Sequence, residues 1–174
     1  RNISATKLAM GSTRVMGTCA VGGEAAGIAA AMAVRKGLTP RRLGELHMEA
    51  LRQELLKNDC FIPGCRNRDP RDLARQGRVR ASSQKPGFEA GMVLSGISRP
   101  LDGVSNLWRS DGLSPKGETL TLAWPSPVTL SQVRLTFDPN LSEERCISVS
   151  KAFIDKEPRG IAKELVKDYT LTAP

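Results

Sequence analysis

Arg14-Val-Met-Gly-Thr-Cys-Ala20 is the stretch of this 174-residue chain whose residue types are best placed for chemistry. It leads into a Gly/Ala-rich run that reads as one helix, from near Thr18 to Gly37. The first turn of a helix leaves backbone N–H groups without intrahelical partners and carries the positive end of the dipole. That end suits an anionic or carbonyl oxygen of a ligand. Cys19 falls in this turn, where the dipole lowers a thiol pKa and favours the reactive thiolate; the reading preferred for it is nonetheless a small buried residue. Arg14, just ahead of the helix, either carries positive charge toward the same end or pairs with a surface carboxylate.

Other reactive side chains form weaker patterns. Cys60 and Cys65 have neither a second cysteine pair nor a histidine to complete a zinc site, so they are free thiols or a disulfide across Pro63-Gly64. His47 is the single histidine and has no second ligand or carboxylate beside it in the pattern, so it reads as a packed or surface residue. Asp102-Gly-Val-Ser-Asn106 offers the oxygen ligands that calcium takes, and equally the composition of a plain turn. No metal site is assigned.

The elements that must position these residues can be read from local signals. In the long helix Thr18 is the expected N-cap, Arg35 and Lys36 sit in the last turn, and Gly37 ends it in the left-handed conformation. Its interior carries Gly22, Gly23 and Gly27, each costing about 1 kcal/mol relative to Ala. Gly23 and Gly27, four apart on one face, predict a close backbone approach: to the core of a larger domain, a second copy or the β-half of this chain. Thr39 as N-cap and Pro40 at the first helical position start a second helix, with Leu43, Leu46, Ala50, Leu51 and Leu55 at helical spacing until Lys57-Asn58. Arg1 to Thr13 reads as extended chain and turn.

Asn67-Arg68-Asp69-Pro70 reads as a boundary, with a short helical turn after it over Asp69–Arg75. From Arg78 the period changes to two. Leu120, Leu122 and Trp124 alternate with polar or small residues, as do Val133, Leu135 and Phe137; Ile147 and Val149 continue the pattern, and Tyr169 and Leu171 start another strand. Short strands between Gly, Pro, Ser and Asp predict an antiparallel β-sandwich. The expected fold class is α+β: a helix pair over 1–68, then a sandwich over 69–174, either complete or cut short at the C-terminus.

The totals exclude several classes. Hydrophobic content of 40% and charged content of 25% are ordinary for a soluble globular chain. The net charge of +8 divides into +6 over residues 1–68 and +2 over 69–174, scattered rather than gathered between aromatics. Nucleic acid is therefore not an expected partner. Gly17–Val34 is weakly apolar and contains Glu24, a poor membrane span, so no membrane partner is expected.

Residues Arg1-Asn-Ile-Ser-Ala-Thr-Lys-Leu-Ala-Met-Gly-Ser-Thr-Arg-Val-Met-Gly-Thr-Cys-Ala-Val-Gly-Gly-Glu-Ala-Ala-Gly-Ile-Ala-Ala-Ala resemble the last segment of a bacterial FAD-dependent oxidoreductase family, over roughly residues 1–64. The resemblance implies that the long helix closes a flavin-binding domain with its N-terminus at the flavin ring. Arg14, Met16, Thr18, Cys19 and Ala20 are then the expected cofactor-binding residues, and the N–H groups of 19 to 21 would face the pyrimidine end of reduced flavin. Cys19 gains a second possible role as a redox thiol beside the ring. The family's G-x-G-x-x-G fingerprint does not occur in this sequence. The chain is accordingly expected to be the C-terminal portion of a flavoenzyme, with FAD as cofactor of the whole but not retained by this portion alone. Its expected partners are the remainder of the flavoenzyme or its N-terminal domain and a small-molecule substrate of unread identity; a homo-oligomer is left open. Its localisation would be the bacterial cytoplasm or periplasm.

Arg78-Val-Arg-Ala-Ser-Ser83, Met92-Val-Leu-Ser-Gly96, Asn106-Leu-Trp-Arg-Ser-Asp111, Leu120-Thr-Leu122 and Val133-Arg-Leu-Thr-Phe-Asp138 keep the order of discoidin-like, galactose-binding-like sandwiches, with Trp108 in a core position. That resemblance, over roughly 77–172, implies the alternative function: a non-catalytic carbohydrate-binding or structural module.

Overall fold

The computed structural model describes residues 4–140, 150–155, 160–162 and 165–173. The chain divides into two compact units, Arg1–Ser126 and Pro127–Pro174. The expected junction at Arg68–Asp69 lies inside the first unit.

The first unit opens with helix α1, Lys7–Thr13, where extended chain was expected. Thr6 caps it, its side chain accepting from the Ala9 N–H at 3.3 Å. Lys7, Leu8, Ala9 and Met10 are good helix formers, and the cap lets them prevail over the weak alternation around Ala5. Helix α2, Met16–Lys36, begins earlier than expected. Its N-cap is Val15 in extended conformation without a side-chain bond, so Thr18 is not the cap and lies within the first turn. The far end matches the sequence: Gly37 has φ 61° and its N–H reaches the carbonyls of Ala33 and Val34. Helix α3, Pro40–Lys57, is capped by Thr39, whose hydroxyl accepts from the Arg42 N–H at 3.4 Å.

α2 and α3 pack through a small core. Ala25, Ile28, Ala29, Met32 and Ala33 form the stripe on α2 that meets Leu43, Leu51 and Leu55 of α3, with Leu38, Cys60 and Ile62 at the margins. Leu43 is the most enclosed side chain, 1% exposed. Leu46 and Ala50 are exposed. The buried positions are four apart, so His47, half-buried and locally non-helical at φ −135°, occupies the stripe position that Leu46 was expected to fill.

A polar clasp ties the helix pair to the loop segments around Asn67 and Gly96. The Gln53 amide donates to the Arg66 carbonyl at 3.1 Å and accepts from the Arg68 N–H at 2.7 Å. Arg99 pairs with Asp59 through two bonds of 3.1 and 3.0 Å. The Asn67 N–H reaches the Gly96 carbonyl at 2.8 Å; Gly96 has φ +76° and a Cβ there would sit 2.9 Å from the Asn67 oxygen. Arg75 donates to the carbonyls of Asn67 and Asp69, both at 2.6 Å. The expected short turn is a 3-10 helix, Leu73–Gln76.

Beyond it, strands β1, Arg78–Ala81, and β2, Leu120–Ala123, form one antiparallel ribbon. The fold is therefore mixed α+β, as expected, but a full sandwich is not formed among the described residues. Met92–Leu94 lies in a 3-10 turn, Ala90–Leu94, and Asn106–Asp111 carries no strand. Trp108 is half-buried, held by a bond from its Nε1 to the Ser83 carbonyl at 2.9 Å. In the second unit Val133–Phe137 and Tyr169–Leu171 carry no strand either. Val133, Leu135 and Phe137 stay 43–46% exposed, because alternation alone does not make a strand without a ladder partner to bury it. Phe137 instead meets Tyr169, ring centroids 5.3 Å apart. A single-turn helix α4, Lys151–Ile154, completes that unit. The strand expected around Ile147 and Val149 lies outside the described residues.

Candidate functional site

The N-terminus of α2 is set by two residues. Arg14, at φ −80° and ψ 53°, ends α1, and Val15, at φ −128° and ψ 152°, turns the chain into α2. The Cys19 N–H already bonds the Val15 carbonyl at 3.2 Å. The donors left without an intrahelical acceptor are thus those of Met16, Gly17 and Thr18, not of residues 19 to 21 as expected. The earlier helix start accounts for the whole of this shift.

The candidate residues cluster around this terminus. Met16 is 90% exposed. Arg14, Cys19 and Ala20 are exposed, Thr18 half-buried. Cys19 is a free thiol and exposed, not the small buried residue expected, because the packed stripe of α2 begins only at Ala25. The helix is bare here: a Cβ added at Gly17, Gly22, Gly23 or Gly27 would meet nothing within 4 Å. The close approach expected at Gly23 and Gly27 is therefore not made by the β-half of this chain among the described residues. The apolar stripe of α2, residues 25, 28, 29, 32 and 33, leaves Gly23 and Gly27 on the opposite face; Gly22, three before Ala25 and seven before Ala29, lies on the stripe's side and is exposed there. By length and composition α2, with mean hydropathy 1.3 over its best window, is also the helix long and apolar enough to cross a membrane among the described residues.

Sequence reasoning missed one connection in this unit. The Cys60 thiol lies against Glu24 of α2. Burial, together with a hydrogen bond to Glu24 and the charges of Glu24 and Asp59, pushes its pKa up to about 11. Cys60 is a protonated, unreactive thiol at neutral pH. Residues 24 and 60 are far apart in sequence, and no local signal pairs them. Cys60 and Cys65 are both free, so the disulfide alternative is not taken.

The Asp102–Asn106 loop is a tight turn. Asp102 and Gly103 have φ 50° and 78°, closed by mutual bonds between Leu101 and Val104 at 3.0 and 2.9 Å. Asn106 is buried and spends its amide on the Arg99 carbonyl at 3.0 Å. No group of three or more His, Cys, Asp or Glu positioned for a metal ion occurs among the described residues. Elsewhere Glu118 accepts from the hydroxyls of Ser82 and Ser83 at 2.5 and 2.7 Å and from the Ser114 N–H at 3.0 Å, bonds that lower its pKa. With no histidine nearby in this network, it ties the end of β1 to the loop before β2.

Residues 1–55 match the family model described as FAD dependent oxidoreductase. The match spans α1, α2 and most of α3, and includes every candidate residue at the α2 terminus. No curated protein and no solved structure matches the chain.

Proposed function

We propose that residues 1–68 are the end of the flavin-binding domain of an FAD-dependent oxidoreductase, that the N-terminus of α2 abuts the flavin ring, and that residues 69–174 are an appended, non-catalytic region. The family match over residues 1–55 carries this reading. The residues present fit the ring edge of the cofactor. Three N–H donors converge at a positive helix end, and Gly17 lets an oxygen approach the backbone unhindered. They do not fit the cofactor's pyrophosphate, for which the sequence holds no G-x-G-x-x-G. This portion by itself is accordingly non-catalytic and does not retain FAD.

When bound, FAD supplies the redox chemistry, and the protein supplies position and electrostatics. The N–H groups of Met16, Gly17 and Thr18 hold a partly negative oxygen at the ring edge. Arg14 adds a full positive charge beside them. Met16 and Ala20 present apolar surface, and Cys19 places a thiol on the next turn. The bare face at Gly23 and Gly27 is the surface on which the rest of the flavin domain seats.

The test is flavin content per polypeptide in the whole natural protein and in its Gly17→Val variant. Valine at the first turn is expected to lower flavin loading, because its side chain occupies the approach to the donors. Unchanged loading in a folded variant contradicts the placement of this terminus at the ring.

A further inference from the structure

The first part of α2 stands clear of the helix pair. Its packed stripe begins at Ala25, while residues 16–24 are exposed apart from half-buried Thr18. From Met16 to Glu24 this arm runs about 12 Å at 1.5 Å per residue. Over that length a tilt of about 5° at the base moves the tip by about 1 Å. Hydrogen bonds weaken steeply with misalignment, so donors carried at the tip need a brace near the base. Cys60 occupies that place. Its backbone N–H donates to the Leu55 carbonyl at 3.1 Å, which fixes it to the end of α3. Asp59, the residue before it, is pinned by the two bonds from Arg99 at 3.1 and 3.0 Å. The Cys60 side chain packs against the α2–α3 core, and its thiol donates to the carboxylate of Glu24, one residue before the stripe begins. The thiol stays protonated at neutral pH and so keeps the donor that this bond requires.

We propose that Cys60 and Glu24 are positioning residues for the flavin: they set the angle of the arm, and with it the aim of the Met16, Gly17 and Thr18 N–H groups and of Arg14 at the ring edge. The inference rests on the flavin reading and adds to it two residues that act through α2, from about 12 Å behind its terminus. Their removal has a signature that loss of a surface contact lacks. Misaimed donors stabilise the negative charge of reduced flavin less, which makes the midpoint potential more negative. Deleting the Glu24 charge with the arm unmoved acts the other way, because a negative charge leaves the surroundings of the ring.

The test has two arms. In this chain alone, amide hydrogen exchange of residues 19–23 is expected to quicken several-fold in Cys60→Ala, as the arm loses its brace, and to recover in Cys60→Ser, whose hydroxyl restores a donor. In the whole natural protein loaded with FAD, C60A and Glu24→Ala are each expected to weaken the stabilisation of reduced over oxidised flavin about tenfold, near 30 mV for a two-electron couple, with C60S close to the natural value. Glu24→Ala places a better helix former at an exposed site, so it carries the test even where C60A does not fold. An unchanged potential in E24A, a shift of E24A to more positive potential, or exchange in folded C60A equal to that of the natural chain overturns the proposal. A whole protein that takes up no flavin overturns the flavin reading and this role with it, whereas flavin bound at an unchanged potential in E24A overturns this role alone.

Discussion

Replacing Gly22, Gly23 and Gly27 together by alanine is expected to stabilise this chain. All three lie in the interior of α2, and a Cβ at any of them meets nothing within 4 Å. No contact is lost, and the gain is the backbone entropy that glycine forfeits in a helix, about 0.5–1 kcal/mol per site. The sum is about 2 kcal/mol, which in a domain of this size raises the melting midpoint by roughly 8 °C. Gly27→Leu, which a close helix approach would make costly by overpacking, is expected to be neutral or stabilising here. Thermal melts monitored by far-ultraviolet circular dichroism read the effect directly. The same triple variant in the whole natural protein is expected to lose flavin or stability, because the proposed flavin domain would seat against Gly23 and Gly27 there. A lowered midpoint in this chain, at a concentration where sedimentation shows a monomer, would refute the reasoning: something in the chain itself would then cover that face.

Leu43→Ala removes the most enclosed side chain of the α2–α3 core and is expected to cost about 3 kcal/mol, measured by denaturant unfolding; a cost under about 1 kcal/mol would mean the helix pair is not the core of its unit. The raised pKa of Cys60, from 9.0 to about 11, means the folded state holds a proton that the unfolded chain releases. Stability from this group is complete below pH 9 and falls as pH rises toward 11, so Cys60→Ala is expected to flatten the alkaline limb of a stability–pH curve, and iodoacetamide is expected to label Cys19 well before Cys60. Asp69 runs the opposite way. Its bonds from the Arg71 side chain and backbone lower its pKa from 3.8 to about 2, so its contribution is complete above pH 3.8 and is lost as pH falls toward 2. Asp69→Asn is expected to remove that acid-side dependence in the same titration, and an unchanged acid limb would show the pair contributes nothing in solution.

The parts of the fold legible in the sequence are those fixed by short-range chemistry. Gly37, Thr39 and Pro40 announce the end of α2 and the start of α3, because a left-handed cap, a hydroxyl cap and a proline at the first helical position act within a few residues. The start of α2 was not legible, because Val15 caps by backbone conformation alone. α1 carried a readable signal in Thr6, outweighed by a weak alternation of apolar residues. β1 and β2 were legible as alternating segments, but the same alternation at Val133–Phe137 gave no strand. A strand is decided by its partner, and periodicity does not name one. In the candidate site the identity of the free N–H groups depended on where the helix begins, which Val15 does not announce. The Glu24–Cys60 contact depends on tertiary placement and leaves no local trace.

The central claim is that the segment matched over residues 1–55 belongs to a flavin-binding domain whose cofactor is held mainly by residues outside this sequence. The most direct measurement is visible absorbance of two purified proteins, this chain alone and the whole natural protein that carries it, each after incubation with FAD and desalting. The account predicts a colourless chain and a whole protein with the flavin bands at close to one cofactor per polypeptide. A whole protein that is folded, colourless and indifferent to added FAD would contradict it.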